Sequence, residues 1–120
     1  MHINIHTSYF ANHRHIPPWL TTISIARYPP KGWCGFSYPA LAPSDELLHS
    51  YKKTNDVASY TDAFKRQLAE LNPSGVVCDL AKISDGGDVV LLCFEKPEKF
   101  CHRHLVADWF RSAGYRSGEF

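Results

Sequence analysis

The sequence predicts one small α/β domain over residues 1–120, with a mostly parallel sheet flanked by helices. A chain of 120 residues with 44% hydrophobic residues is long enough for one core and too short for two. Residues 89–94 (VVLLCF) form a continuous apolar run, which is typical of a strand covered on both faces. Amphipathic helical patterns lie before and after this run, so strands and helices are expected to alternate.

Two further strands are predicted in the first quarter of the chain. Residues 3–10 read as a strand, because Ile3 and Ile5 alternate with polar residues. Residues 11–20 contain two adjacent prolines and are expected to form an irregular connection. Residues 21–26 (TTISIA) are rich in β-branched side chains and predict the second strand.

A proline- and glycine-rich segment, residues 28–43, follows the second strand. Its four prolines and two glycines exclude a long regular element. It also contains Trp33, Phe36 and Tyr38, which predict an ordered aromatic loop. Long ordered loops in small domains are more often functional than not, so we expect these rings to stack on a ligand.

The rest of the chain is predicted to be mainly helical. Ser44 is the expected N-cap of the first helix, and Ser74 that of the third. Gly114 is expected to end the last helix, and the tail after it can add a short edge strand. The predicted helices cover residues 44–53, residues 59–71, a short segment after Ser74, and residues 101–113.

Composition and charge exclude several classes of protein. The 13 basic residues nearly balance the 12 acidic ones, so the sequence lacks the basic excess that is typical of a general nucleic-acid-binding domain. The sequence has no apolar stretch of about 20 residues and no signal peptide, which predicts a cytoplasmic protein without membrane contact. The four cysteines lack short pairwise spacing and are expected to be reduced thiols.

The strand ends are the predicted working site, because ligands in open α/β sheets bind beyond the carboxyl ends of the strands. Ser8 lies at the end of the first strand, and Arg27 ends the second, with Lys31 in the loop that follows. The third strand leads through Glu95 to the sequence Cys101-His102-Arg103 at a helix start. If the strands are parallel, these polar groups meet at one edge of the sheet.

Cys101 is the central candidate at this edge. Unpaired N–H groups at a helix start stabilise a thiolate, and they can equally bind a phosphate or carboxylate together with Arg103 and Arg27. Glu95 is placed to orient His102 or to act as a general base. Two structural alternatives stay open: Cys101 as a buried filler, and Arg103 as the ion-pair partner of Glu95.

A metal site is the competing interpretation of the same segment. Cys93, Cys101, His102 and His104 supply thiolate and imidazole groups within twelve residues. However, adjacent residues of a helix point in different directions, so Cys101 and His102 are not expected to converge, and Cys93 is expected to face the core. We therefore predict no bound metal and no cofactor.

The segment Leu91-Leu92-Cys93-Phe94-Glu95, followed after a short loop by Cys101-His102-Arg103, resembles the signature of a bacterial and phage family called domain of unknown function 488. Weaker matches are Thr7-Ser8-Tyr9, Ile25-Ala26-Arg27, Tyr60 and Phe64. Family members often carry an acidic residue where this chain has Ile25. The resemblance implies an α/β fold and a site at these residues, and it implies no activity.

Three functions are compatible with these features. The first is a thiol-dependent enzyme for a nucleotide-like or phosphate-bearing substrate, with Cys101 as nucleophile and with Glu95 or His102 moving protons. Arg103, Arg27, Ser8 and Lys31 would then bind the anionic group. The second is a non-catalytic module that binds a nucleotide or nucleic acid, in which Trp33, Phe36 or Tyr38 stacks on a base. The third is a structural or interaction protein. The sequence predicts no oligomeric state.

Overall fold

The computed structural model describes residues 3–94 and 101–120, which form a five-stranded parallel sheet with helices. The sheet order is β3-β2-β4-β1-β5. This confirms the predicted α/β class and its parallel sheet. The strands are β1 (Ile5–Tyr9), β2 (Thr21–Ser24), β3 (Phe36–Ser37), β4 (Val89–Cys93) and β5 (Ser117–Glu119).

Four α-helices and two short 3-10 helices complete the described part of the chain. None of the described helices is long and apolar enough to cross a membrane. The α-helices are α1 (Asp45–Thr54), α2 (Val57–Ala69), α3 (Pro73–Ile83) and α4 (His102–Ser112), and the 3-10 helices are Phe10–His15 and Pro39–Leu41.

Strand β4 is the centre of the fold, as its uninterrupted apolar sequence predicts. It pairs in parallel with β1 on one side and with β2 on the other, and all five of its residues are buried. Its side chains alternate between two cores. Val89, Leu91 and Cys93 belong to the larger core, whereas Val90 and Leu92 belong to the smaller one.

The two faces of the sheet are covered by different kinds of structure. Helices α2, α3 and α4 cover one face and bury Phe64, Leu80 and Phe110 completely. The other face packs against Ile16 and the partly buried Trp33, which lie in connections rather than in α-helices. The connection between β1 and β2 is short and contains adjacent prolines, so it forms a 3-10 helix and a turn.

Capping residues explain where the helices begin. The Ser44 hydroxyl accepts a hydrogen bond from the Leu47 backbone N–H at 3.1 Å, which confirms Ser44 as the N-cap of α1. The third helix begins earlier than predicted, because the Asn72 side chain caps it and Pro73 is its first residue. Proline is favoured at that position because its missing N–H has no partner in the first turn.

The strand order places a topological switch point between β2 and β4. From β2 the chain passes to β3 at the near edge of the sheet, whereas from β4 it passes through α4 to β5 at the far edge. The connections after these two neighbouring strands therefore diverge and leave a crevice at their carboxyl ends. Such crevices are the usual ligand sites of open α/β sheets.

Candidate functional site

A cavity of about 720 Å³ opens at this switch point, at the carboxyl ends of β2 and β4. Its size lies within the range of about 300–1,000 Å³ that is typical of small-molecule sites. The buried side chains of Cys93, Cys101 and His102 form its inner wall. The other described lining residues come from the chain after β2, from Phe94 after β4, from helix α1 with its C-cap, and from helix α2.

Cys93 and Cys101 are joined by a disulfide in this structure, so the expectation that all cysteines are reduced thiols was wrong for this pair. Spacing along the chain was a poor guide, because the two residues lie at the end of β4 and the start of α4, which meet in space. Cys34 and Cys78 are free, with Cys34 exposed and Cys78 partly buried. The Cα atoms of Cys93 and Cys101 are 7.5 Å apart.

His102 is held in one orientation and one tautomer. Its Nε2 atom lies 2.6 Å from the backbone carbonyl oxygen of Ile25. A carbonyl oxygen only accepts, so Nε2 carries the proton and the Nδ1 lone pair is left to face Cys101 Sγ, 3.7 Å away. Burial, with a smaller contribution from the Arg103 charge, lowers the pKa of His102 to about 4 although the bond to Ile25 acts to raise it, so the ring is neutral at pH 7.

Cys93, Cys101 and His102 converge on one point, so the prediction that Cys101 and His102 diverge and that Cys93 faces only the core was wrong. One ligand atom from each of Cys93, Cys101 and His102 lies within 4.8 Å of the others. The reason is the backbone of Cys101, whose φ of −150° and ψ of 144° are extended. Cys101 precedes the first helical turn, so the angular spacing of helical neighbours does not apply to it and His102.

Arg103 lies behind the cysteines rather than in the cavity lining. Its guanidinium is completely buried and forms an ion pair with Glu119 of β5 at 3.0 Å. It also donates a hydrogen bond to Cys93 Sγ at 3.1 Å and lies 5.8 Å from the ring centre of Tyr9. The ion-pair partner considered from the sequence, Glu95, lies outside the described residues. Arg103 therefore contacts one of the cysteines from the far side of the cavity wall.

Among the described residues, two cationic side chains line the cavity. Arg27 lines it after β2, and its guanidinium donates to the carbonyl oxygens of Pro43 at 2.9 Å and Ala42 at 3.4 Å. Lys52 of α1 lines the same cavity. Among the described residues of the lining, none carries a carboxylate. The charge of the described lining thus favours an anionic ligand.

The aromatic lining differs from the residues that the sequence analysis selected. Tyr28, Tyr51, Tyr60 and Phe94 line the cavity. Tyr28 donates a hydrogen bond to the carboxylate of Asp45, which raises the pKa of Tyr28. Burial raises the pKa of Tyr60.

The three rings of the proline-rich loop lie away from this cavity. Trp33 packs against Phe10 at 5.3 Å on the opposite face of the sheet, and its indole N–H donates to the carbonyl oxygen of Phe36. Phe36 belongs to the edge strand β3, and the Tyr38 hydroxyl donates to Asp79 of α3. None of the three is in the described lining.

Ser8 and Lys31 also lie outside the described lining. Ser8 is completely buried at the end of β1, where its hydroxyl accepts from the Asn12 side chain at 3.1 Å. Lys31 is exposed in the loop before β3. Of the proposed site residues, the structure therefore brings together Cys101, His102 and Arg27 in the lining, with Arg103 behind them.

One wall of the cavity was missed by the sequence analysis. It consists of Leu48, Tyr51, Lys52 and Asn55, all from α1 and its C-cap. These positions follow the i, i+3, i+4, i+7 spacing of one helix face. That spacing was visible in the sequence, and a stripe combining a tyrosine, a lysine and an asparagine was the available signal for a ligand-facing surface.

Comparison with known proteins identifies a family. No curated protein and no solved structure matches the chain. A family model described as the active DUF488-N3 subclade matches residues 8–114, a range that includes the cavity residues named above. Since this match covers most of the sequence, the chain belongs to the family called domain of unknown function 488.

Proposed function

We propose that this protein is a thiol-dependent enzyme that acts on a small anionic, nucleotide-like molecule in the cavity between β2 and β4. The observation that carries the proposal is the inner wall of the cavity, where Cys101 Sγ and the neutral His102 ring lie together. Once the disulfide is reduced, a buried thiol beside a proton acceptor, in a cavity of ligand size, is the arrangement that nucleophilic catalysis needs.

Charge and aromatic surface support the substrate class. Arg27 and Lys52 are placed to bind a phosphate or carboxylate group of the substrate. Tyr28, Tyr51 and Phe94 line the cavity, and their aromatic surface suits contact with a planar group such as a base. The combination of cations and rings around one cavity favours a nucleotide-like molecule over a purely apolar one.

The chemistry requires the cysteines in their reduced form. A cellular thiol reduces the Cys93–Cys101 disulfide and is itself oxidised to a disulfide, which leaves two protein thiols. The Cys101 thiol can then donate to His102 Nδ1, and the N-terminal end of α4 favours its thiolate. The Arg103 guanidinium donates a hydrogen bond to Cys93 Sγ and therefore favours the thiolate form of Cys93.

The location and source of the protein are part of the proposal. A cytoplasmic protein of a bacterium or phage would work in a reducing compartment, where cysteines are kept as thiols. The word "active" in the description of the matched subclade agrees with catalytic use of these residues.

Substrate binding is tested on reduced protein with a panel of nucleotides, by thermal shift and calorimetry. A nucleotide that binds the cavity should raise the melting temperature of the wild-type protein and of Lys53→Met. It should lose most of this effect in Lys52→Met, because Lys52 lines the cavity and the exposed Lys53 does not. Equal binding by both variants, or no binding by the wild type, would contradict the proposed substrate class.

Catalysis is tested by mass spectrometry of the bound nucleotide after incubation. Cys101→Ser should abolish conversion and keep binding, whereas Cys78→Ser should keep both, because Cys78 is not in the described lining. If wild-type protein binds a nucleotide and never converts it, the non-catalytic binding module is the correct function. Absence of any small ligand would leave the interaction protein.

A further inference from the structure

Three donor atoms of the kind that bind soft metal ions meet at the inner wall of the cavity. They are the sulfur atoms of Cys93 and Cys101 and a ring nitrogen of His102, all within 4.8 Å of one another. All three residues are buried, and all three line the cavity. Thiolate and imidazole donors in a compact group select zinc or a related transition metal.

The distances suit one tetrahedral ion. With bonds of about 2.3 Å to sulfur and about 2.0 Å to nitrogen, a sulfur and a nitrogen on one zinc lie about 3.5 Å apart. Cys101 Sγ and His102 Nδ1 are 3.7 Å apart, and the Ile25 carbonyl leaves the Nδ1 lone pair available.

The backbone spacing of the two cysteines would allow an ion between their sulfurs once the disulfide is reduced. Two sulfurs on one zinc lie about 3.8 Å apart. The Cα atoms of Cys93 and Cys101 are 7.5 Å apart, beyond the roughly 4.4–6.8 Å usual for a disulfide. Side-chain rotation can therefore part the sulfurs to the required distance while β4 and α4 stay in place.

The surroundings of the three donors match those of metal sites. A metal-bound histidine usually donates its other N–H to a carbonyl or carboxylate, and His102 is bonded in this way to Ile25. Arg103 donates to Cys93 Sγ, and its own charge is balanced by Glu119. Two thiolates and one Zn²⁺ sum to zero charge, so a buried site with these ligands avoids the cost of an isolated charge.

We propose that in the reduced protein Cys93, Cys101 and His102 bind one zinc ion, whose fourth coordination position faces the cavity. Reduction of the disulfide by a small-molecule thiol yields two protein thiols, and Zn²⁺ then displaces one proton from each. Three protein ligands with an open position are typical of catalytic rather than structural zinc. The inference goes beyond the proposed function, because it makes Cys101 and His102 ligands of a metal ion instead of a free nucleophile and its proton acceptor, and the ion would polarise an oxygen of a molecule bound in the cavity.

The test is a titration of the reduced, metal-free protein with Co²⁺ under anaerobic conditions. One equivalent should produce the near-ultraviolet thiolate-to-cobalt absorption and the visible bands of a four-coordinate site, and Zn²⁺ should remove both. The double variant Cys34→Ser/Cys78→Ser should behave as the wild type, because it retains only the proposed ligand cysteines. Cys101→Ser should reduce the thiolate absorption to roughly half, since one of two sulfur donors is lost.

Two outcomes would overturn the metal site. In the first, the reduced wild-type protein binds neither Co²⁺ nor Zn²⁺. In the second, the cobalt spectrum is lost in the Cys34→Ser/Cys78→Ser variant. Far-UV circular dichroism of each sample excludes loss of signal through unfolding, and the wild-type result does not depend on any variant. Because the readout needs no substrate, metal binding without nucleotide binding rejects only the proposed function, and nucleotide binding without metal rejects only the metal site.

Discussion

His102 is buried between the ring of Phe64, 5.4 Å away, and the backbone carbonyl of Ile25. The sequence placed His102 at the start of a helix but could not show that its partner is a backbone atom far away in the chain. Because this partner is a backbone atom, the contact does not depend on which side chain stands at position 25. The Ile25 side chain is completely buried in the core, and the contact with His102 does not use it.

His102 should make the stability of the oxidised, metal-free protein depend on pH. The pKa of His102 is about 4 in the folded state and about 6.5 in the unfolded chain, so between these values only the unfolded state binds the proton. The free energy of unfolding should therefore fall by on the order of 3 kcal/mol from pH 7 to pH 4 on account of this residue. Arg103 and His104 are the charged and titratable neighbours that contribute to the low pKa.

Urea unfolding of the wild type and of His102→Gln at several pH values measures this effect. The variant should lose less stability than the wild type as the pH falls. The comparison cancels the contribution of the carboxylates to the pH dependence, because both proteins contain them. Parallel curves for the two proteins between pH 7 and pH 5 would show that His102 does not titrate as described.

At the scale of elements, the buried side chain of Arg103 joins α4 to two strands of the sheet. Arg103 on its first turn bonds Cys93 of β4 and Glu119 of β5. Sequence patterns predicted both the helix and the short edge strand. They did not predict the ion pair between the two elements, because that contact depends on the strand order. The edge strand β3 was not predicted, because two residues inside a proline-rich loop are too few to form a pattern.

Glu119→Gln should destabilise the protein, because it replaces the carboxylate that is ion-paired with the buried Arg103 guanidinium by a neutral amide. Losing one partner of a buried pair costs about 3–5 kcal/mol, but Glu119 is 28% exposed, so we expect about 1–3 kcal/mol. Urea unfolding measures the change. The exposed Glu70→Gln serves as the control, with an expected change within about 0.5 kcal/mol. Equal effects of both substitutions would mean that the ion pair contributes nothing to stability.

The N-cap of α1 should stabilise the helix that forms one wall of the cavity. Ser44→Ala removes the side-chain acceptor of the Leu47 N–H and should cost about 1 kcal/mol, whereas Ser44→Asp should restore most of that loss. Thermal unfolding of the three proteins measures the difference. If Ser44→Ala is as stable as the wild type, then the contacts of Arg27 and Gln67 with this segment are enough to hold it.

At the scale of the whole molecule, the class of the fold was predictable and the arrangement of its strands was not. The uninterrupted apolar residues of β4 indicated a buried parallel strand, and the structure confirms it. The order β3-β2-β4-β1-β5, however, depends on packing that no local pattern encodes. That order decides which loops reach the cavity. It directs α1 to the site and Trp33 to the opposite face, contrary to the expectation for the aromatic loop.

Amide hydrogen exchange should follow this order. Strand β4 is paired on both sides and completely buried, so its amides should exchange slowest, close to the rate set by global unfolding. The amides of β3 at the exposed edge should exchange fastest among the strands. Faster exchange in β4 than in β3 would contradict the central position of β4.

The position of β1 has a consequence for how the chain folds. Both neighbours of β1 are strands from the last third of the sequence, as the Asn4–Asp88 and Thr7–Glu119 bonds show, with separations of 84 and 112 residues. Neither partner exists while a ribosome is still making the first two thirds of the chain. During synthesis β1 therefore has neither of its native partner strands, and pairing between such distant segments makes folding slow. A strand that stays unpaired during synthesis is a target for chaperones and for misassembly.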